Sequence, residues 1–190
     1  MRRGRDLGVE ETREEGSVST QSALKQVFER TERALAARPA VGRGADTTVT
    51  ARLRDGLACE VEAGAFRLRA DLATVAGGTD TGPSPGGLGR AALGSCLAMG
   101  IVMWAAKLDV PMTAVEVRVE TESDASGLYG VGDVPAGWLA VRYTVTVESD
   151  APEAAVLRAV ETAEAHSPLL DSFCRPLDVT RAVTITAPAS

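Results

Sequence analysis

Apolar positions change their spacing several times along the chain, and each change marks an element. Leu24, Val27, Phe28, Thr31 and Leu35 recur on one helical face. Ser19, Thr20 or Ser22 is placed to cap that helix, and Pro39 to end it. Residues 1–20 before it are polar, charged and without period, which predicts a mobile N-terminal arm. Residues 21–46 then read as a helix and a Gly-containing linker, and 47–190 as the main domain. Within that domain Thr47 to Leu53 is rich in β-branched residues, and Asp55-Gly56 signals a hairpin turn. Leu57, Cys59 and Val61 alternate with polar neighbours, and Glu62 to Gly64 looks like a second turn. Phe66, Leu68 and Ala70 alternate with Arg67 and Arg69, giving three short antiparallel strands.

Gly77 to Gly87 is a loop, with Ser84 as candidate N-cap and Pro85 suited to a first helical turn. A helix runs from there to about Leu108, and Pro111 prevents it from continuing far. Val115, Val117 and Val119 alternate with charged residues, a Gly-rich loop spans Gly127 to Gly137, and Val141, Tyr143, Val145 and Val147 make the return strand. Asp150 with Glu153 resembles a capping box opening a helix through about Ala165, with Val156, Val160 and Ala163 on one face. Val183 and Ile185 belong to a predicted last strand. Runs of strands between separate helices indicate an α+β fold with antiparallel pairing, not alternating βαβ units.

The helix after Ser84 is apolar on every side, so it must be covered on every side. A chain of 190 residues with short strands cannot easily do that alone, and a homodimer burying two such helices together can. Ala91 to Ala106, the apolar stretch, falls short of the roughly 20 residues that span a bilayer. A buried helix is therefore expected rather than a membrane anchor.

Composition narrows the function classes. Hydrophobic residues are 45% and aromatics only 4%, so the core is built mainly from Val, Leu and Ala. The net charge is −6 and no segment concentrates Lys or Arg, which argues against a nucleic-acid partner. The basic residues at the N-terminus are followed by no apolar h-region, so no secretory signal is read and a reducing cytoplasm is expected. With three irregularly spaced cysteines and a single His, neither a disulfide scaffold nor a metal site is expected. No GxGxxG or phosphate-loop pattern follows a strand, so no cofactor is expected either. Ser95 lacks the GxSxG elbow of a serine hydrolase.

The stretch Gly82-Pro-Ser-Pro followed by Ala91-Ala-Leu-Gly-Ser-Cys-Leu-Ala resembles the signature of the OsmC/Ohr family, the osmotically inducible and organic hydroperoxide resistance proteins. The likeness covers roughly Thr47 to Ala187, and the order of elements matches as well. The resemblance implies antiparallel sheets wrapped around a long central helix in an intertwined homodimer. It also implies a thiol-dependent peroxidase that reduces organic hydroperoxides, with Cys96 as the attacking thiol and an external thiol or dithiol as reductant.

Three departures from the family pattern bear on that activity. The family's Glu near the start of the helix matches Gly86 here. Its second cysteine matches Ser167, which cannot form a disulfide; Cys174 is the candidate replacement, in an expected loop beyond Pro168. The activating Arg is not identified: Arg52, Arg54, Arg67 and Arg69 are candidates, whereas Arg90 lies roughly 240° around the helix from Cys96. The helix dipole fades beyond the first turn, so it cannot activate Cys96. Cys59 reads as core packing and His166 as a helix-end residue. The alternative to a peroxidase is a non-catalytic binding or structural dimer that has kept the fold.

Overall fold

The computed structural model describes residues 11–44 and 48–187, with side chains from Thr20 onward. Three strands, β1 (Val49–Arg52), β2 (Cys59–Ala63) and β3 (Phe66–Ala70), form an antiparallel meander. Ala63 pairs with Phe66 across a two-residue turn in which Gly64 takes φ 61°, a left-handed conformation that favours glycine. The register sorts the two faces. Val49, Ala63 and Phe66 form one apolar row and Ala51, Val61 and Leu68 the next. The other face is charged: Glu62 meets Arg52 at 2.6 Å and Arg67 at 3.4 Å, and Glu60 accepts from Arg69 Nε at 2.9 Å. The apolar face is largely uncovered, with Phe66 76% exposed.

The second sheet is a long hairpin of β4 (Ala114–Ser123) and β5 (Trp138–Glu148), with a short helix α3 (Ala125–Leu128) in the connection. Val115, Val117 and Val119 pair with Val147, Val145 and Tyr143 on the inner face. Across that face lies α2 (Pro85–Lys107), the central helix. Its residues Leu93, Leu97, Ile101 and Ala105 repeat every fourth position and are at most 1% exposed. Helix α4 (Glu153–Ala165) completes the core. It presents Ala159 and Ala163, both small and buried, to the cluster around Ile101, which lets two helices approach closely. Truncating a fully buried Leu or Ile here to Ala costs about 2–5 kcal/mol.

Helix α1 (Glu11–Ala37) lies against the other end of α2. The Phe28 ring meets Trp104 edge-on at 4.8 Å. Lys25 pairs with Asp109, Lys107 pairs with Glu32, and Gln21 Nε2 donates to the Val110 carbonyl at 3.2 Å. At 23 residues α2 is long and apolar enough to meet the composition of a membrane span. Elements α1, α4 and β4 nevertheless pack along it, so it is the helix around which this fold is built.

Several expectations need correction. Helix α1 is already running at Glu11, so Ser19, Thr20 and Ser22 lie inside it and do not cap it, and residues 11–20 are helical. Residues 1–10, the rest of the expected arm, and Thr47, the expected start of the first strand, lie outside the described residues. The Asp150–Glu153 capping box does not form. Pro152 is the N-cap, its carbonyl accepting from Ala155 and Val156, while Ser149 Oγ takes the Ala151 N–H. The segment around Cys174 is not a loop but helix α5 (Pro168–Cys174). Val183 and Ile185 form no strand: they are 72% and 92% exposed, and a strand needs a ladder that no described strand of this chain offers them.

Candidate active site

The N-terminal end of α2 is fixed by two polar devices. Ser84 Oγ accepts from Gly87 N at 3.1 Å, and Pro85 occupies the first turn, as the sequence predicts. Upstream, Asp71 is 1% exposed and organises the loop leading to that cap. Its carboxylate accepts from Leu72 N (2.7 Å), Thr79 N (3.1 Å), Thr79 Oγ1 (2.6 Å), Thr81 N (3.0 Å) and Thr81 Oγ1 (2.8 Å). The Thr79 hydroxyl bond, then the Thr81 backbone bond, hold the carboxyl well below the usual range against the opposing effect of burial. Gly78 is required inside this loop, because a Cβ there would sit 1.9 Å from the Leu72 carbonyl oxygen.

Cys96 faces the junction between α4 and α5. It is half-buried, and its Sγ lies 3.6 Å from Ser167 Oγ. Ser167 is 4% exposed and is the N-cap of α5, accepting from Leu170 N at 3.4 Å. A hydroxyl has one hydrogen to donate. Accepting the Leu170 N–H leaves Ser167 its own hydrogen, so it is able to donate to the sulfur, and toward a thiolate it is the one partner of the two that can donate. Ser167, the position that the resemblance gives to the family's second cysteine, therefore faces the central helix. His166, next to it, contacts Thr162 O through Nδ1 at 2.8 Å and packs its ring on Trp104 at 4.6 Å.

Three of the four candidate cations are engaged elsewhere. Arg52, Arg67 and Arg69 are engaged by Glu60 and Glu62 on the charged face of the first sheet. Arg90 donates to Thr121 Oγ1 at 3.1 Å. Among the described residues, Ser167 is the hydrogen-bond partner of the Cys96 sulfur and no cation is. All three cysteines are free: Cys59 is half-buried in β2, and Cys174 is exposed at the end of α5.

Cys174 instead borders a pocket of about 560 Å³ that also touches Leu93, Trp138, Tyr143, Leu170 and Phe173. The Trp138 and Phe173 rings stack at 5.6 Å. Trp138 lies directly on α2 at Gly89, where a Cβ would come within 2.9 Å of the indole. Tyr143 donates to Glu164 Oε1 at 2.9 Å. Burial foremost, then that hydrogen bond and the Glu164 charge, push the phenol up to about 12. Sequence reading missed Asp71, Trp138 and Phe173 as site-forming residues. The signals were present in the Asp followed by two loop threonines, and in small residues along the first turns of α2.

Comparison with known proteins agrees with this architecture. The OsmC-like protein family profile matches residues 78–181, more than half of the chain. The crystal structure of an OsmC-like protein from Mycoplasma pneumoniae superposes with a TM-score of 0.60 at 12% identity, covering 70% of this chain and 89% of that one. An OsmC-like protein of unknown function from Vibrio cholerae gives 0.54 at 11% identity, covering 68% and 94%. An organic hydroperoxide resistance protein from Legionella pneumophila gives 0.51 at 15% identity, covering 69% and 90%. No curated protein sequence matches. With the antiparallel sheets, the Cys-bearing central helix and the family profile in agreement, the chain belongs to the OsmC-like family.

Proposed function

We propose that this chain is a cytoplasmic, thiol-dependent peroxidase that reduces organic hydroperoxides and contributes to oxidative-stress defence. The observation that carries the reading is the placement of Cys96: half-buried on the central helix, with the Ser167 hydroxyl 3.6 Å from its sulfur. The name of the Legionella relative, an organic hydroperoxide resistance protein, supports the substrate class.

In this reading the Cys96 thiolate attacks the terminal oxygen of ROOH. An S–O bond forms, the O–O bond breaks, and ROH leaves after taking up a proton, so that Cys96 becomes a sulfenic acid. A hydroxyl donor beside the sulfur steadies negative charge during that step. An external thiol then attacks the sulfenic sulfur, expelling water and forming a mixed disulfide. A second thiol equivalent releases Cys96 as the thiol and carries away the disulfide. Cys174 is the candidate internal resolving thiol, but Ser167 holds the position beside Cys96, which favours the external route.

The active form is read as a homodimer. Met99 is 61% and Met103 45% exposed, in line with exposed Ala92 and Ser95 along one side of α2. The first sheet also leaves its apolar face largely exposed among the described residues, with Val49 and Phe66 60% and 76% exposed. A second copy can cover both surfaces in an interface above about 2,000 Å².

One observation favours the second reading, a binding dimer without peroxidase activity: the arginines of the first sheet are held by carboxylates, and among the described residues no arginine hydrogen-bonds Cys96. Hydroperoxide consumption by the wild type and Cys96→Ser separates the two. Loss of consumption in the variant supports the peroxidase. Absence of consumption by the wild type, with Cys96 unmodified, supports the binding protein.

A further inference from the structure

The pocket beside α5 has apolar and aromatic walls, and Arg90 lies next to its Gly86 edge without lining it. Its walls include Leu93, Leu170 and the stacked Trp138 and Phe173, and its volume of about 560 Å³ falls within the range of about 300–1,000 Å³ usual for small-molecule sites. A side chain beginning at Gly86 would start 3.8 Å from Arg90 Nη1 and 3.9 Å from Trp138 Nε1, with nothing closer. Arg90 carries a permanent charge and five N–H donors. Among the described residues its one hydrogen-bond partner is Thr121, and no carboxylate pairs with it. The Trp138 indole N–H likewise has no acceptor among the described residues. Two donors therefore converge on a space that Gly86 leaves empty at the pocket's edge.

The remaining polar groups fix which end takes charge. The Tyr143 hydroxyl is committed to Glu164, and that carboxylate disfavours an anion on its side of the pocket. An anion belongs at Gly86. The aromatic walls favour a flat ring, which gains offset stacking beyond the area it buries. We propose that this pocket binds a small aromatic carboxylate, its ring against the stacked Trp138–Phe173 pair and Leu170 and its carboxylate on Arg90 at Gly86.

The pocket borders Gly86 and Cys174 but does not include the Cys96 sulfur, so ligand binding there is read separately from hydroperoxide consumption. Calorimetric titration of the full chain with 2-naphthoate, and with 2-naphthalenemethanol as the neutral counterpart, tests it. The acid should bind at least about tenfold more tightly than the alcohol, and Arg90→Gln should remove that difference. Gly86→Glu is the second variant. Its Cβ meets nothing closer than 3.8 Å, it places a carboxylate in the first turn of α2 where the dipole favours it, and it should fold at least as well as wild type. It should lose about tenfold or more in naphthoate affinity by filling that space with its own anion. Cys96→Ser should bind naphthoate as wild type does, whatever happens to hydroperoxide consumption. Equal binding of acid and alcohol, unchanged binding by Gly86→Glu, or no binding of naphthoate overturns the proposal.

Discussion

Ser167 Oγ stands 3.6 Å from Cys96 Sγ, so the residue that caps α5 is also the hydrogen-bond partner of the candidate reactive thiol. A helix cap and a site residue are here one side chain. Changing it should alter stability and thiol chemistry together.

Ser167→Ala removes both contacts. Loss of the cap should cost about 1 kcal/mol, seen as a fall of about 2–4 °C in the thermal midpoint. Loss of the donor should slow oxidation of Cys96 by about tenfold, the factor that corresponds to a hydrogen bond to a charged group. Stopped-flow measurement of thiol loss under excess hydroperoxide checks the second effect. An unchanged rate would assign Ser167 to capping alone.

Ser167→Cys is the complementary test. It puts a second thiol where the hydroxyl now touches Cys96, and a disulfide requires Cα atoms about 4.4–6.8 Å apart. One equivalent of hydroperoxide should then yield an intramolecular crosslink between Cys96 and the introduced thiol, visible by non-reducing mass spectrometry. Failure to crosslink would mean that the side chains meet without the backbone geometry of a resolving pair.

Much of this site was legible in the sequence. Ser84 and Pro85 announced the start of α2 because caps are local. The helix was legible as apolar, but not which side is buried within the chain: it reads apolar all round, and packing against β4 and α4 is what singles out Leu93, Leu97, Ile101 and Ala105. Ser167 was legible through its family position and its place at the end of an apolar helical face. What was hidden depends on distance along the chain. Trp138 and Phe173 meet only because β5 and α5 both return to α2. Asp71 looks like a loop residue until Thr79 and Thr81 fold back on it. Val183 and Ile185 alternate like a strand, but alternation specifies which side chains share a face and not where the ladder partner is.

Asp71 also implies a pH dependence. Its folded carboxyl is held below the unfolded value, near 3.9. It therefore contributes stability that is fully present above that value and is lost as pH falls through about 4 and below. Thermal midpoints measured between neutral pH and about pH 3 should fall more for wild type than for Asp71→Asn, which begins lower at neutral pH. Parallel curves would contradict the role given to this carboxylate.

Phe28→Ala tests the docking of α1. The ring is half-buried, sits edge-on against Trp104, and lies under the Lys107 ammonium at 5.5 Å. Its removal should cost about 1–2 kcal/mol, combining an aromatic pair with partial loss of buried area. Limited proteolysis should then cut within α1 while leaving the core from β1 onward intact. A variant as resistant as wild type would show that α1 is held mainly by its ion pairs.

The account rests on Cys96 as the thiol that meets the peroxide, and on resolution from outside the chain. Mass spectrometry of the full-length protein after one equivalent of organic hydroperoxide, with dimedone present to trap sulfenic acid, tests both at once. The expected result is a dimedone adduct on Cys96, little or no Cys96–Cys174 crosslink, and recovery of the free thiol when untrapped oxidised protein meets an external dithiol. A rapid stoichiometric Cys96–Cys174 disulfide would contradict external resolution, and an unmodified Cys96 would contradict the peroxidase itself.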